Sequence, residues 1–262
     1  MDIDKYFEQR GSGEPIVFIH GSYATTSTWK KIIEALAVDH LCLSIKLPGH
    51  CGTPDPIDFA NPNIETELKI IEQAIRRTTD RPVHLVGHSY GGVVALALAL
   101  KGSITLKQLT LFEPVAVWVL RTMNDAAMYS RVEEFLSTYR KHAALNLPNT
   151  CGEVIDFWGN GNHFASFPAR MKSDMALLLQ NNLRHWDICT QSAFTRRNLN
   201  ELSCPTHLVG GSNSNPVAQA IADYLVEEIP NSRKTTIEGA THFMVTSHAE
   251  DCIQLLNSDI RA

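Results

Sequence analysis

The first eight residues, Met1-Asp2-Ile3-Asp4-Lys5-Tyr6-Phe7-Glu8, have neither a basic start nor an apolar run, so no secretory leader is expected there. The longest apolar stretch, Val93 to Leu100, is far too short to span a bilayer, which takes about 20 residues, and no membrane partner is expected. Charge is sparse and mixed. With 23 basic and 28 acidic residues, a net charge of −5 and no block of like sign, nothing invites nucleic acid or an anionic surface. Six cysteines (Cys42, Cys51, Cys151, Cys189, Cys204, Cys252) form no C-x-x-C pair. They read as free thiols of a cytoplasmic protein, because a chain of 262 residues buries enough core to need no disulfide. Without paired cysteines at zinc-site spacing, no metal or other cofactor is expected. No internal repeat or low-complexity segment is present.

What the chain does have is an apolar strand running into a glycine-flanked serine and then a helix of small apolar residues: Pro82-Val83-His84-Leu85-Val86-Gly87-His88-Ser89-Tyr90-Gly91-Gly92-Val93-Val94-Ala95-Leu96. A serine hydroxyl is a weak nucleophile unless it is held in the open beside a base, and a sharp strand-to-helix turn does this. Gly87 and Gly91 stand two residues either side of Ser89, where a side chain would collide. The helix N-terminus favours negative charge developing beside the serine. This Gly-x-Ser-x-Gly arrangement resembles the nucleophile elbow of the α/β-hydrolase fold. The resemblance implies a mostly parallel central sheet flanked by helices (class α/β), with a helical lid inserted in it.

The remainder of the chain is consistent with that fold. Residues 6–9 and 15–20 read as strands joined by the turn 10–13, and 41–45 as a third. His20-Gly21-Ser22-Tyr23 resembles the family's loop in which a backbone N–H just after the glycine is one of two oxyanion donors. The resemblance gives that role to Ser22, and the second to the N–H of Tyr90 directly after the nucleophile. Ser22 can also cap the following turn through its hydroxyl. Lys46-Leu47-Pro48-Gly49-His50-Cys51-Gly52-Thr53 resembles the family's D-x-P-G-H-G-x-S loop, departing from it at Lys46 and Cys51. His50 there reads as structural. Ile64, Leu68, Ile71 and Ile75 recur at helical spacing, predicting a helix over 63–79.

Strand 106–112 ends in Glu113-Pro114, after which the strand rhythm stops. Helical stretches over 124–145, 169–183 and 187–197 resemble a lid, giving core segments 1–115 and 200–262 and a lid over 116–199. The lid's Trp118, Phe157, Trp158, Phe164, Phe167 and Trp186 suggest an apolar pocket, or else pack lid on core. The core resumes with strand 205–211, helix 216–228, strand 234–237 and helix 247–258. His242, in Gly239-Ala240-Thr241-His242, holds the family's place for the general base.

The triad acid is not where most relatives carry it. After strand 205–211 the chain reads Ser212-Asn213-Ser214-Asn215, and no carboxylate lies between Glu201 and Asp223. Some members of the wider fold place the acid after the strand that follows the elbow, which points to Glu113. Asp187, or a neutral orienter among Asn213, Ser214 and Asn215, remains open. The expected function is a serine hydrolase acting on an ester-type bond of a small to medium apolar substrate through an acyl-enzyme. A ligand-binding or sensor protein on the same scaffold is the alternative. So is a lactonase, carbon–carbon bond hydrolase or acyltransferase using the same residues. Oligomeric state is not readable.

Overall fold

Five largely buried strands and two more polar ones, one at each edge, form a single seven-stranded sheet within the computed structural model, which describes residues 2–191 and 194–261. The first half of the chain runs β1 (Phe7–Arg10), β2 (Glu14–Ile19), α1 (Lys30–Leu36), β3 (His40–Ile45), α2 (Glu65–Thr78), β4 (Val83–His88), α3 (Tyr90–Lys101) and β5 (Leu106–Phe112). Six helices follow before the next strand: α4 (Trp118–Thr122), α5 (Ala126–Ala144), α6 (Thr150–Gly159), α7 (Ala169–Leu177), α8 (Leu179–Thr190) and α9 (Arg196–Asn200). The chain then closes with β6 (Thr206–Gly211), α10 (Pro216–Glu228), β7 (Ser232–Ile237), α11 (Met244–Ser247) and α12 (Ala249–Arg261).

The sheet order is β1-β3-β2-β4-β5-β6-β7, with β1 antiparallel to β3 and every other neighbouring pair parallel. Parallel neighbours need crossovers, and the helices supply them on both faces. Side-chain alternation divides the core. Val17, Ile19 and Leu85 pack with α2 and α3 on one face, while Phe18, Val86 and Phe112 pack with Trp29, α1 and α12 on the other. Every residue of β4 is buried, and so are Tyr90 through Ala99 of α3. The strand and helix that meet at Ser89 are therefore covered along almost their whole length.

The expected mostly parallel α/β sheet with an all-helical insertion is what the chain forms. The insertion differs in detail. The helix expected over 169–183 breaks at Leu178 into α7 and α8, and the one expected over 187–197 is the end of α8 followed by α9, with residues 192 and 193 outside the described set. Helix α6 lacked a clear apolar period. Its Gly152 leaves room for the Phe164 ring, which an added Cβ would meet at 2.3 Å.

Helix α8 ties the insertion to the core through Arg184. Its guanidinium donates Nε to Asp58 Oδ1 (2.7 Å) and Nη2 to Asp58 Oδ2 (2.8 Å), and Nη1 to Glu67 Oε1. The Arg184 side chain is 1% exposed and that of Glu67 0%, so each charge depends on the other for solvation. Burial works to raise the Asp58 pKa, but the bonds from Arg184 hold it below the ordinary carboxylate value. Replacing Arg184 by alanine strands these carboxylates, and Arg184→Ala should cost about 3–5 kcal/mol. Urea unfolding checks this; a loss within the range of an exposed ion pair, about 1 kcal/mol or less, would refute the clamp.

Candidate active site

Between the end of β4 and the start of α3 the chain turns through one residue. Ser89 sits at φ 57°, ψ −123°, a conformation L-residues rarely adopt. The turn closes only because neighbouring side chains are missing. A Cβ on Gly87 would lie 2.4 Å from the Gly91 carbonyl oxygen, and one on Gly91 2.3 Å from that of Ile19. The Ser89 N–H donates to Phe112 O (3.0 Å), which fixes the elbow to β5.

Three of the predicted residues meet at this turn. His242, from the loop after β7, places Nε2 2.9 Å from Ser89 Oγ. Its Nδ1 lies 2.7 Å from Glu113 Oε2, at the end of β5. A carboxylate accepts, so Nδ1 carries the proton and Nε2 presents its lone pair to the serine hydroxyl. Glu113 is 1% exposed and its backbone is left-handed at φ 42°. Its other oxygen, Oε1, accepts the N–H of Gly211 (2.8 Å). Of the alternative acids and orienters, Asp187, Asn213 and Asn215 are engaged elsewhere. Asp187 pairs with Arg140 at 2.6 Å, and Asn213 donates to Gly239 O at 3.2 Å. Asn215 donates to Phe157 O (2.6 Å) and accepts from Val217 N (2.9 Å) as the cap of α10. The Ser214 hydroxyl is buried without a hydrogen-bond partner among the described residues.

His88, the residue before the nucleophile, donates Nε2–H to His242 O at 2.8 Å and so braces the loop carrying His242. His84, four residues earlier on the same strand, bonds Thr110 Oγ1 at 2.8 Å. The two rings of this His-x-x-x-His spacing thus bond different groups, and no cluster of three metal-capable side chains occurs among the described residues.

The loop after β2 abuts the serine: a Cβ on Gly21 would lie 3.1 Å from Ser89 Cβ. Among the described residues no protein group accepts the backbone N–H of Ser22 or of Tyr90. His50 takes the structural part expected of it, its ring spanning the carbonyl oxygens of Pro48 and Ser22. A cavity of about 600 Å³ opens over Ser89. Of the aromatics expected to line it, Trp158, Phe167 and Trp186 do so, and Trp158 stacks on His242 with ring centroids 5.6 Å apart. Phe157 instead stacks on Phe135, and Trp118 and Phe164 are buried in packing. Two polar wall residues, Asn182 and His185, gave no signal in the sequence, because both lie on the buried polar side of α8.

A parallel sheet, an elbow serine and a helical insertion between β5 and β6 define the class of protein, and comparison with known proteins agrees. Residues 16–255 match the model of the "Alpha/beta hydrolase family", and the chain belongs to that family. It is 24% identical over 261 residues to the pimeloyl-[acyl-carrier protein] methyl ester esterase of Aeromonas hydrophila subsp. hydrophila, covering 95% of this chain and 96% of that one. Human monoacylglycerol lipase ABHD6 is 22% identical over 95% of this chain and 76% of its own. Among solved structures, MenH from S. aureus superposes with a TM-score of 0.78 at 18% identity, covering 98% of both chains. An esterase from Exiguobacterium antarcticum gives 0.77 at 19% identity, covering 98% of this chain and 95% of that one.

Burial pushes the pKa of His20 down to about 3, that of His88 to about 3 and that of His84 to about 4. Unfolded, these imidazoles protonate near their ordinary value of about 6.5. The unfolded chain therefore binds more protons as pH falls, and stability drops from about pH 6.5 through the folded values. Scanning calorimetry should show Tm falling steadily between pH 6.5 and 4, with a shallower slope in His84→Gln. A flat profile over that window would contradict the neutral, buried state of these rings.

Proposed function

We propose that this protein is a serine hydrolase of carboxylic esters that works through an acyl-enzyme. The observation that carries the reading is the continuous hydrogen-bonded line from Ser89 Oγ through His242 to Glu113 Oε2, at the base of a cavity walled by Trp158, Phe167 and Trp186. In this reading His242 Nε2 takes the Ser89 proton as Oγ attacks the ester carbonyl. Glu113 holds the ring and stabilises the imidazolium. The N–H groups of Ser22 and Tyr90 receive the oxyanion at the N-terminus of α3. Collapse of the tetrahedral species expels the alcohol, which takes its proton from His242. Water, deprotonated by the same imidazole, then releases the acid and frees Ser89.

The apolar walls favour a small to medium apolar acyl or alcohol group. Relatives named for a methyl ester esterase and a monoacylglycerol lipase are in line with an oxygen ester. A silent binding scaffold had its motive in the missing acid, and Glu113 supplies a carboxylate at 2.7 Å from the ring. Six free thiols suit a cytoplasmic setting.

A fluorophosphonate probe tests the reading. The wild type should label, and Ser89→Ala and His242→Ala should not. Glu113→Gln keeps the shape but not the charge, and its turnover should fall by about 10⁴, the loss seen when a triad aspartate becomes asparagine in the serine proteases. An unlabelled wild type sinks the hydrolase reading. A Glu113→Gln enzyme that turns over at the wild-type rate sinks only the acid. Across p-nitrophenyl esters, kcat/KM should rise with acyl length until the cavity is full; a preference for charged acyl groups would refute the apolar pocket.

A further inference from the structure

One corner of the cavity is wired with hydrogen bonds that all run in one direction. Tyr139 donates its hydroxyl to Asn182 Oδ1 (2.6 Å), so the 2.9 Å contact between the Tyr23 and Tyr139 hydroxyls has Tyr23 as donor. With its oxygen thus occupied, Asn182 turns its amide Nδ2 to Ser22 Oγ at 2.8 Å. Ser22 Oγ also lies 2.7 Å from His185 Nδ1. His185 is 2% exposed, its ring stacked on that of Tyr90 with centroids 3.7 Å apart, and burial keeps its pKa well below the ordinary imidazole value. It is therefore neutral and has one N–H to spend.

Counting protons fixes where that N–H points. His185 Nε2 is buried and has no hydrogen-bond partner among the described residues. If Nε2 held the proton, a buried N–H would be orphaned, which folded proteins rarely tolerate; a bare acceptor is the milder defect. Nδ1 is the protonated nitrogen, and it donates to Ser22 Oγ. That oxygen then receives two bonds, one from Asn182 and one from His185, and both its lone pairs are used. Its own O–H has no acceptor among the described hydrogen bonds of the protein. Ser22 is half-buried at the cavity wall, in the loop that touches Ser89.

We propose that the Ser22 side-chain hydroxyl is a third, side-chain donor to the oxyanion, beside the two backbone N–H groups. This rests on the hydrolase reading above. Two incoming bonds withdraw electron density from Oγ and make its O–H a stronger donor, so the chain Tyr23→Tyr139→Asn182→Ser22 ends on the substrate oxygen. The hydroxyl is set in place before reaction and needs no reorientation as charge develops. Helix α8 thereby acts on the chemistry, although none of its residues belongs to the Ser89–His242–Glu113 line.

Steady-state kinetics of Ser22→Ala with a p-nitrophenyl ester tests this, alongside inhibition by a trifluoromethyl ketone, which forms the same oxyanion. The expected result is a fall in kcat of about 10²-fold, the loss typical of one oxyanion donor, with KM within twofold and inhibition weakened in parallel. Ser22→Thr keeps a hydroxyl and should recover part of the loss. Asn182→Asp keeps the shape but turns the donor facing Ser22 into an acceptor that claims the hydroxyl proton, and should also lower kcat. Should Ser22→Ala fail to fold, by near-ultraviolet circular dichroism, Asn182→Asp carries the test alone. Wild-type kcat in either folded variant, or a loss confined to KM, overturns the third donor. The two claims fail separately: if Ser89→Ala is inactive while Ser22→Ala turns over normally, only the third donor falls. If Ser89→Ala remains active, the hydrolase reading falls with it.

Discussion

The backbone of Ser89 is the constraint on which the site depends. Holding a residue at φ 57°, ψ −123° costs about 1–3 kcal/mol and survives only where the surroundings over-determine it. Here they do. Below the turn, Gly87 lets the β4 end approach the α3 start, and Gly91 lets α3 approach the end of β2, to distances no side chain allows. Beside it, the Ser89 N–H is committed to β5, and its carbonyl oxygen accepts from Gly92 and Val93 in the first turn of α3. Behind it, α3 is buried along nearly its whole length, so the helix cannot shift to relieve the strain. The serine is exposed to the cavity because everything attached to it is fixed.

That constraint also explains what the amino-acid order reveals. An elbow has local requirements, a buried strand, two glycines at fixed offsets and a small-residue helix, and these are written within fifteen consecutive residues. Ser89 and the sheet around it were legible for that reason. His242 was legible only because fold and chain order reduced eleven histidines to one. Glu113 was legible as one option among several, since its choice depends on which carboxylate reaches Nδ1 in space, and Asp187, Asn213 and Asn215 are engaged elsewhere in contacts no spacing rule predicts.

The insertion was read least well, and α8 shows why. Amphipathic reasoning assigns polar residues to solvent, yet Asn181, Asn182, Arg184 and His185 are all buried. Arg184 is satisfied by carboxylates more than a hundred residues earlier, His185 by a serine in the loop after β2, and Asn182 by that serine and a tyrosine of α5. Buried polar groups on a helix are stable only with partners, and these partners are all distant in sequence. The segment is therefore buried on its polar side as well as at Trp186, Ile188 and Cys189, and no single apolar stripe marks it. The same burial puts polar donors at the cavity wall beside the loop after β2, while Trp158, Phe167, Trp186 and aliphatic residues such as Val154 and Ile155 line other parts of it.

The place of Glu113 against His242 follows from the order of the sheet. Strand β5 lies between β4, which leads into Ser89, and β6. A carboxylate at the end of β5 starts one strand, about 4.8 Å, nearer the serine than one at the end of β6. The carboxylate must still reach the outer nitrogen of a histidine delivered from beyond β7, on the far side of β6. A glutamate has one methylene more than an aspartate, and Glu113 also takes a left-handed backbone at φ 42°. The Gly211 N–H, at the end of the intervening strand, binds the second carboxylate oxygen. With Oε1 held by the backbone of β6, Oε2 has a fixed direction, and His242 receives it at hydrogen-bond distance. Glu113 thus reaches His242 through a long side chain, a left-handed backbone and the anchoring N–H of Gly211 together. The sequence has no carboxylate at the end of β6 that would compete for the same imidazole.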